Sequence, residues 1–170
     1  MGIPDSTRLT DVLPGIPHHM GKKMTPEMQY SANGLALTEQ FEGCKLTAYR
    51  DSGGVWTNGY GNTHGVVPGS TITQQQAVAD LEKNIQTSVN DVNLLVSVEL
   101  TQGEFDALVD FDFNLGRGNL QRFTLLTDLN AGNFAAAAEQ FDKWDRCNGT
   151  VLAGLLRRRQ AETKEFDGAS

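Results

Sequence analysis

F-E-G-C-K-L-T-A-Y-R-D-S-G-G-V-W-T-N-G-Y-G, from Phe41 to Gly61, changes its backbone preference three times in one short run. Phe41 and Glu42 end a helical pattern in which Leu35, Leu37 and Phe41 alternate with Thr38, Glu39 and Gln40. Ser31 or Asn33 can cap that helix at its start, and Gly43 supplies its stop. Glu42 therefore falls in the last helical turn. Lys45 to Tyr49 and Val55 to Tyr60 then have strand composition, and the turn-forming run Asp51-Ser52-Gly53-Gly54 joins them. The stretch predicts a helix end followed by a hairpin, with Asp51 at the bend.

Downstream, Gly59, Gly61, Gly65 and Gly69 mark a loop. Thr71 or Thr73 with Gln76 gives a capping signal for a helix over about residues 73–96, with Ala77, Val78, Leu81, Ile85, Val89, Val92 and Val96 on its apolar stripe. A helix this long in a small protein predicts two lobes, about 31–75 and 97–170, joined through it. Thr101 and Glu104 form a capping box opening a helix that turns Phe105, Leu108, Val109 and Phe113 inward. Helical patterns recur at Gln121 to Leu129, Asn133 to Trp144 and Ala153 to Phe166, separated by Gly116-Arg-Gly118, Ala131-Gly132 and Asn148-Gly149. The expected class is α+β, mostly α, with the C-terminal two-thirds all helix. Upstream, residues 1–30 hold four of the five prolines and no sustained periodicity, which predicts an irregular arm. His18 and His19 stand there without a Cys, Asp or Glu at ligand spacing, so no metal site is expected.

At 170 residues the chain is the size of one folding unit. A net charge of -7 and a pI near 4.9 argue against a nucleic-acid partner or attraction to an anionic membrane surface. No run approaches the length of a membrane span, and the N-terminus lacks a basic region followed by an apolar run, so neither an anchor nor a signal peptide is expected. Cys44 and Cys147 are too few for a disulfide framework. They read as two free thiols or, where the fold brings them together, one bridge.

Glu42, at a helix C-terminus, sits where the helix dipole favours a protonated carboxyl, which suits a general acid. Asp51 lies in a polar turn whose open N–H groups favour a carboxylate, and Thr57 on the returning strand can offer a hydroxyl to the same water. Spacing alone does not separate this trio from solvated surface. Arg157, Arg158 and Arg159 read equally as a basic turn, while Phe113, Trp56 and Trp144 read first as packing residues.

The Phe41–Gly61 stretch resembles the catalytic signature of the phage-type lysozymes, or endolysins, of glycoside hydrolase family 24, which includes T-even phage lysozyme: a Glu, eight residues, an Asp, five residues, then Thr and G-x-G. The likeness continues through L-T-Q-G-E-F-D-A-L-V-D-F-D-F-N-L-G (Leu100 to Gly116), T-L-L-T-D-L-N-A-G (Thr124 to Gly132) and W-D-R-C-N-G-T-V-L-A-G-L-L-R-R-R-Q-A-E (Trp144 to Glu162). It implies a lysozyme-like fold and a muramidase cutting between N-acetylmuramic acid and N-acetylglucosamine of peptidoglycan with inversion. Glu42 would be the acid, and Asp51 and Thr57 would place the water. Inversion implies carboxyl groups roughly 6.5–9.5 Å apart. The resemblance also matches Phe113 and Asn114 to sugar-contacting cleft positions and Arg158 to an arginine that pairs with the catalytic Glu. It implies no cofactor, a monomer, synthesis in the host cytoplasm and holin-dependent access to the wall. The chain departs from the family in the hairpin, where Asn58 and Asn62 replace an apolar residue and a His, which bears on hairpin stability. It departs also at its start, where a polar, Pro-rich arm is expected in place of the hydrophobic signal-anchor segment of some members. A secreted effector, a tail-associated lysozyme or a glycan-binding module without catalysis would carry much of the same pattern.

Overall fold

The computed structural model describes residues 26–122, 124–147 and 149–168, with Cys147 described for its backbone alone. His18, His19 and most of the expected arm lie outside them. Helix α1 (Ala32–Glu42) starts at Ser31, whose Oγ accepts the Asn33 and Gly34 N–H groups at 3.2 Å, and stops at Gly43 with φ 64°. Strands β1 (Lys45–Arg50) and β2 (Trp56–Gly59) pair antiparallel, with Tyr49 opposite Thr57 and Arg50 opposite Trp56. The helix-then-hairpin expectation holds.

Helix α2 (Gln74–Leu95) opens on Thr73, which forms the capping box with Gln76. Its apolar stripe serves two cores. Ala77 and Leu81 bury against Tyr60, Leu35, Leu46 and Ile72, whereas Ile85, Val89 and Val92 join the larger cluster around Phe105, Leu108, Phe111, Leu125 and Phe141. One helix thus ties the hairpin region to the helical remainder, and its period of 3.6 keeps both contacts on one face. Thr101 opens α3 (Gln102–Leu115) with the expected box to Glu104, and all eight residues from Phe105 to Asp112 are buried. α3 is therefore central, packed by α1, α2 and the helices over Arg117–Arg122 and Ala153–Phe166.

Three details differ from expectation. Gly116 alone, with φ 84°, ends α3, and α4 (Arg117–Arg122) runs through Gly118, which the sequence marks as a break. Fully buried Leu120 and the Arg117–Asp91 ion pair at 2.9 Å offset the roughly 1 kcal/mol that a helical Gly costs. After α5 (Thr124–Asn130) and α6 (Phe134–Phe141), the expected helix to Trp144 tightens into a 3₁₀ turn over Asp142–Trp144. The C-terminal part is not all helix either. A second small hairpin, β3 (Arg146–Cys147) with β4 (Thr150–Val151), precedes α7 (Ala153–Phe166). The Asn-Gly pair at 148–149 is itself a strong hairpin signal.

Residues 26–30 are not helical, yet they are tied down. Met28 N–H donates to Asn93 Oδ1 and Asn93 Nδ2 donates back to Met28 C=O, both at 2.9 Å, while Met28 and Tyr30 pack on the larger core. Cys44 carries a free, exposed thiol within 3.6 Å of Gln74 Oε1. Among the described residues no helix is long and apolar enough to cross a membrane.

Candidate active site

Glu42 is at the C-terminal end of α1 with its side chain 24% exposed, and Arg158 Nη1 donates to its Oε1 at 2.7 Å. Both line a cleft of about 580 Å³ together with Asn114, Phe41, Leu155 and exposed Arg157. The three consecutive arginines of α7 thus part company. Arg157 faces solvent, Arg158 holds Glu42, and buried Arg159 donates from Nη2 to Asn114 Oδ1 at 2.7 Å. That last bond fixes the amide's orientation and leaves its Nδ2 as the group to meet a ligand acceptor.

Asp51 and Thr57 do not line this cleft. They are fixed on the hairpin by the backbone N–H and C=O of one shared residue, Val55. Its N–H donates to Asp51 Oδ1 at 2.8 Å, and its C=O accepts from Asp51 N–H at 2.9 Å and from Thr57 Oγ1 at 3.1 Å. Gly53 N–H adds a second bond to Asp51 Oδ1 at 2.9 Å. Oδ2 accepts none among the described residues, so one carboxylate oxygen is anchored and the other is available. Thr57 has given its proton to a carbonyl, which leaves its oxygen lone pairs to accept from water. Gly54 takes φ 78° to let the turn close.

Phe113 does not line the cleft; it is half-buried and packs against both apolar clusters, the core reading of that residue. Trp144 packs on the larger cluster, and half-buried Trp56 lies under the Arg50 guanidinium at 5.1 Å from its ring centroid. The two departures in the hairpin compensate each other. Asn58 and Asn62 are both buried, exchange backbone hydrogen bonds at 3.0 and 2.9 Å, and join side chains through Asn62 Nδ2 and Asn58 Oδ1 at 3.3 Å.

Residues 39–162 match the family model described as phage lysozyme. The chain belongs to the phage lysozyme family. It is 41% identical over 146 residues to the endolysin of Acyrthosiphon pisum secondary endosymbiont phage 1, covering 84% of this chain and all of that protein. It is 40% identical to the endolysin of Bacillus phage B103, over 82% of this chain but 54% of that longer relative. Among solved structures, the endolysin from Escherichia coli O157:H7 phage FAHEc1 superposes with a TM-score of 0.79 at 35% identity, covering 85% of this chain and 97% of that one. The lysozyme-like α+β fold stands on that likeness. As a phage lysozyme the chain is a glycoside hydrolase of the muramidase type.

What sequence reading missed in this phage lysozyme is the layer behind the cleft. Asp110 of α3, with no exposed side-chain surface, takes two bonds from Arg158, from Nε to Oδ2 and from Nη2 to Oδ1, both at 2.9 Å. Thr38 Oγ1 donates to the same Oδ1 at 2.6 Å. Burial would push the Asp110 carboxyl up, but the Arg158 bonds and charge outweigh it and hold the group below the ordinary carboxylate range. Burial also drives the Glu162 carboxyl well above its ordinary value, with the Arg159 charge opposing. Its Oε1 lies 2.8 Å from Arg159 Nη2 without hydrogen-bond alignment, a close polar contact and not a directed bond. The available signal was an Asp at residues 106 and 110, one turn apart in a helix otherwise reading as core.

Proposed function

We propose that this phage lysozyme is an endolysin that cuts the β-1,4 bond between N-acetylmuramic acid and N-acetylglucosamine of bacterial peptidoglycan, with inversion at the anomeric carbon. The observation that carries the reading is the pairing of two differently built carboxyl sites. Glu42 opens into the cleft at a helix end beside Arg158, and Asp51 and Thr57 are locked together through Val55 on the hairpin that follows that helix. Glu42 gives its proton to the leaving glycosidic oxygen. The unanchored oxygen of Asp51 takes a proton from a water that also hydrogen-bonds Thr57, and that water attacks the opposite face of the ring. Asn114 offers its Nδ2 to an acetamido carbonyl, Phe113 beside it on α3 packs between the two apolar clusters, and Arg158 keeps Glu42 in place. The bond broken is glycosidic C–O; the water supplies OH to carbon and H to Asp51, so the step needs no cofactor.

The biological setting that fits is host-cell lysis: synthesis in the host cytoplasm, passage through a holin lesion, and action on the wall as a monomer. The test of the enzymatic reading is clearing of outer-membrane-permeabilised cells. Wild type should clear the suspension about 10²–10⁴ times faster than Glu42→Gln, the usual contribution of a general acid. Equal rates would leave only a glycan-binding module.

A further inference from the structure

We infer that Asp110, which faces no solvent, is a positioning residue for catalysis: it grips both the helix that carries Glu42 and the arginine that holds Glu42, and so sets where the acid stands and how much of the Arg158 charge it receives. This rests on reading Glu42 as the acid. The geometry is specific. Thr38 is four residues before Glu42 on α1, so both side chains project from one helical face. Asp110 Oδ1 accepts from Thr38 Oγ1 at 2.6 Å and from Arg158 Nη2 at 2.9 Å, so one oxygen joins α1 to α7. Arg158 then spends two donors on Asp110 and one on Glu42. Its single positive charge is shared chiefly by these two carboxyl groups, Asp110 holding two bonds to Glu42's one, with Glu162 Oε1 a third and more distant contact at 3.6 Å from Nε.

Among the described residues Arg158 is the cation that bonds Asp110. Facing it are Tyr30 and Thr38 from the α1 side, Asp106 one turn earlier on α3, and Arg158, Arg159 and Glu162 from α7. Tyr30 is a neutral phenol whose OH bonds Gly34 C=O at 2.7 Å and Thr38 Oγ1 at 2.8 Å, and burial together with the Asp110 charge pushes its ionisation upward. Arg159 Nη2 is directed at Asn114 Oδ1 and lies 2.8 Å from Glu162 Oε1, and burial pushes the Glu162 carboxyl upward. Removing the Asp110 charge while keeping its shape therefore leaves Glu42 with a larger share of the guanidinium charge. The acid should then lose its proton more readily, and the alkaline limb of the pH–rate profile should move to lower pH.

The experiment is the pH dependence of kcat/KM on purified peptidoglycan for wild type, Asp110→Asn and Thr38→Val, with folding checked by circular dichroism. Asp110→Asn should shift the alkaline limb down by about one pH unit and lower kcat at pH 7 about tenfold. Thr38→Val, nearly isosteric, keeps the charge; it should lower kcat several-fold with KM and the limb unchanged. A folded Asp110→Asn protein with the wild-type limb overturns the inference. If that variant does not fold, Thr38→Val carries the decision, and wild-type kcat in it overturns the inference equally. Failure of the acid assignment is separable, because it would show as activity retained by Glu42→Gln.

Discussion

Replacing Asp112 by Asn should stabilise the protein in alkaline buffer and leave it nearly unchanged in acid. Asp112 is 3% exposed and its Oδ1 has no hydrogen-bond partner. Burial pushes its carboxyl from 3.8 up to about 6; the Ser88 hydroxyl opposes this, the Asp91 charge adds to it, and Arg117 opposes it again. A native-state value above the unfolded one means the folded protein keeps the proton longer. The stability tied to this group is intact below about pH 4 and is lost as pH rises through 6. At 1.36 kcal/mol per pH unit, a gap of roughly two units makes the loss about 2–3 kcal/mol by pH 8. Asn keeps the shape and cannot ionise, so its advantage over wild type should grow by about 2 kcal/mol between pH 4 and pH 8, which is about 4–8 °C in Tm for a chain this size. Urea unfolding at pH 4, 6 and 8 and constant ionic strength measures it. Any fixed penalty from the new amide cancels in the pH dependence. An advantage that is flat across that range, or that shrinks as pH rises, would refute the reasoning.

Gly34→Ala should cost about 1–3 kcal/mol in thermal unfolding, because a Cβ there would come within 2.8 Å of both Asp106 Cγ and Tyr30 Cζ, overwhelming the helical gain of Ala. Arg159→Lys should free the Asn114 amide to turn, raising KM about five-fold on glycan oligosaccharides, the equivalent of one hydrogen bond, with a smaller change in kcat. A chain begun at Ser31 loses the Met28–Asn93 pair and Tyr30, and should melt several degrees below one begun at Pro26 when the two are compared by calorimetry.

The hairpin, the Glu42 helix end and the α2 and α3 caps were legible because each is local: a Gly at positive φ, a Thr three residues before Gln or Glu, a turn-forming run between strand patterns. The Gly116-Arg-Gly118 break was misread for the opposite reason. Nothing near Gly118 in sequence reveals that Leu120 is buried and that Arg117 meets Asp91, 26 residues away. The candidate trio of Glu42, Asp51 and Thr57 and the Glu42–Arg158 contact came from a motif match, since spacing alone did not separate them from surface. The buried charges of Asp110 and Arg159 stayed hidden because the partners that hold them come from helices more than 40 residues apart, and a charged residue in a helix reads first as solvated. Val55 as the common anchor of Asp51 and Thr57 could not have been read at all, because the bonds are made by its backbone and not by its side chain.

The stereochemistry of the product tests the account most directly. Proton NMR during hydrolysis of a defined peptidoglycan oligosaccharide reports which anomer forms before mutarotation. A Glu42 acid with a water placed by Asp51 and Thr57 predicts that the α-anomer of the new reducing end appears first. First appearance of the β-anomer would mean retention, and would contradict the water-attack mechanism assigned to these residues.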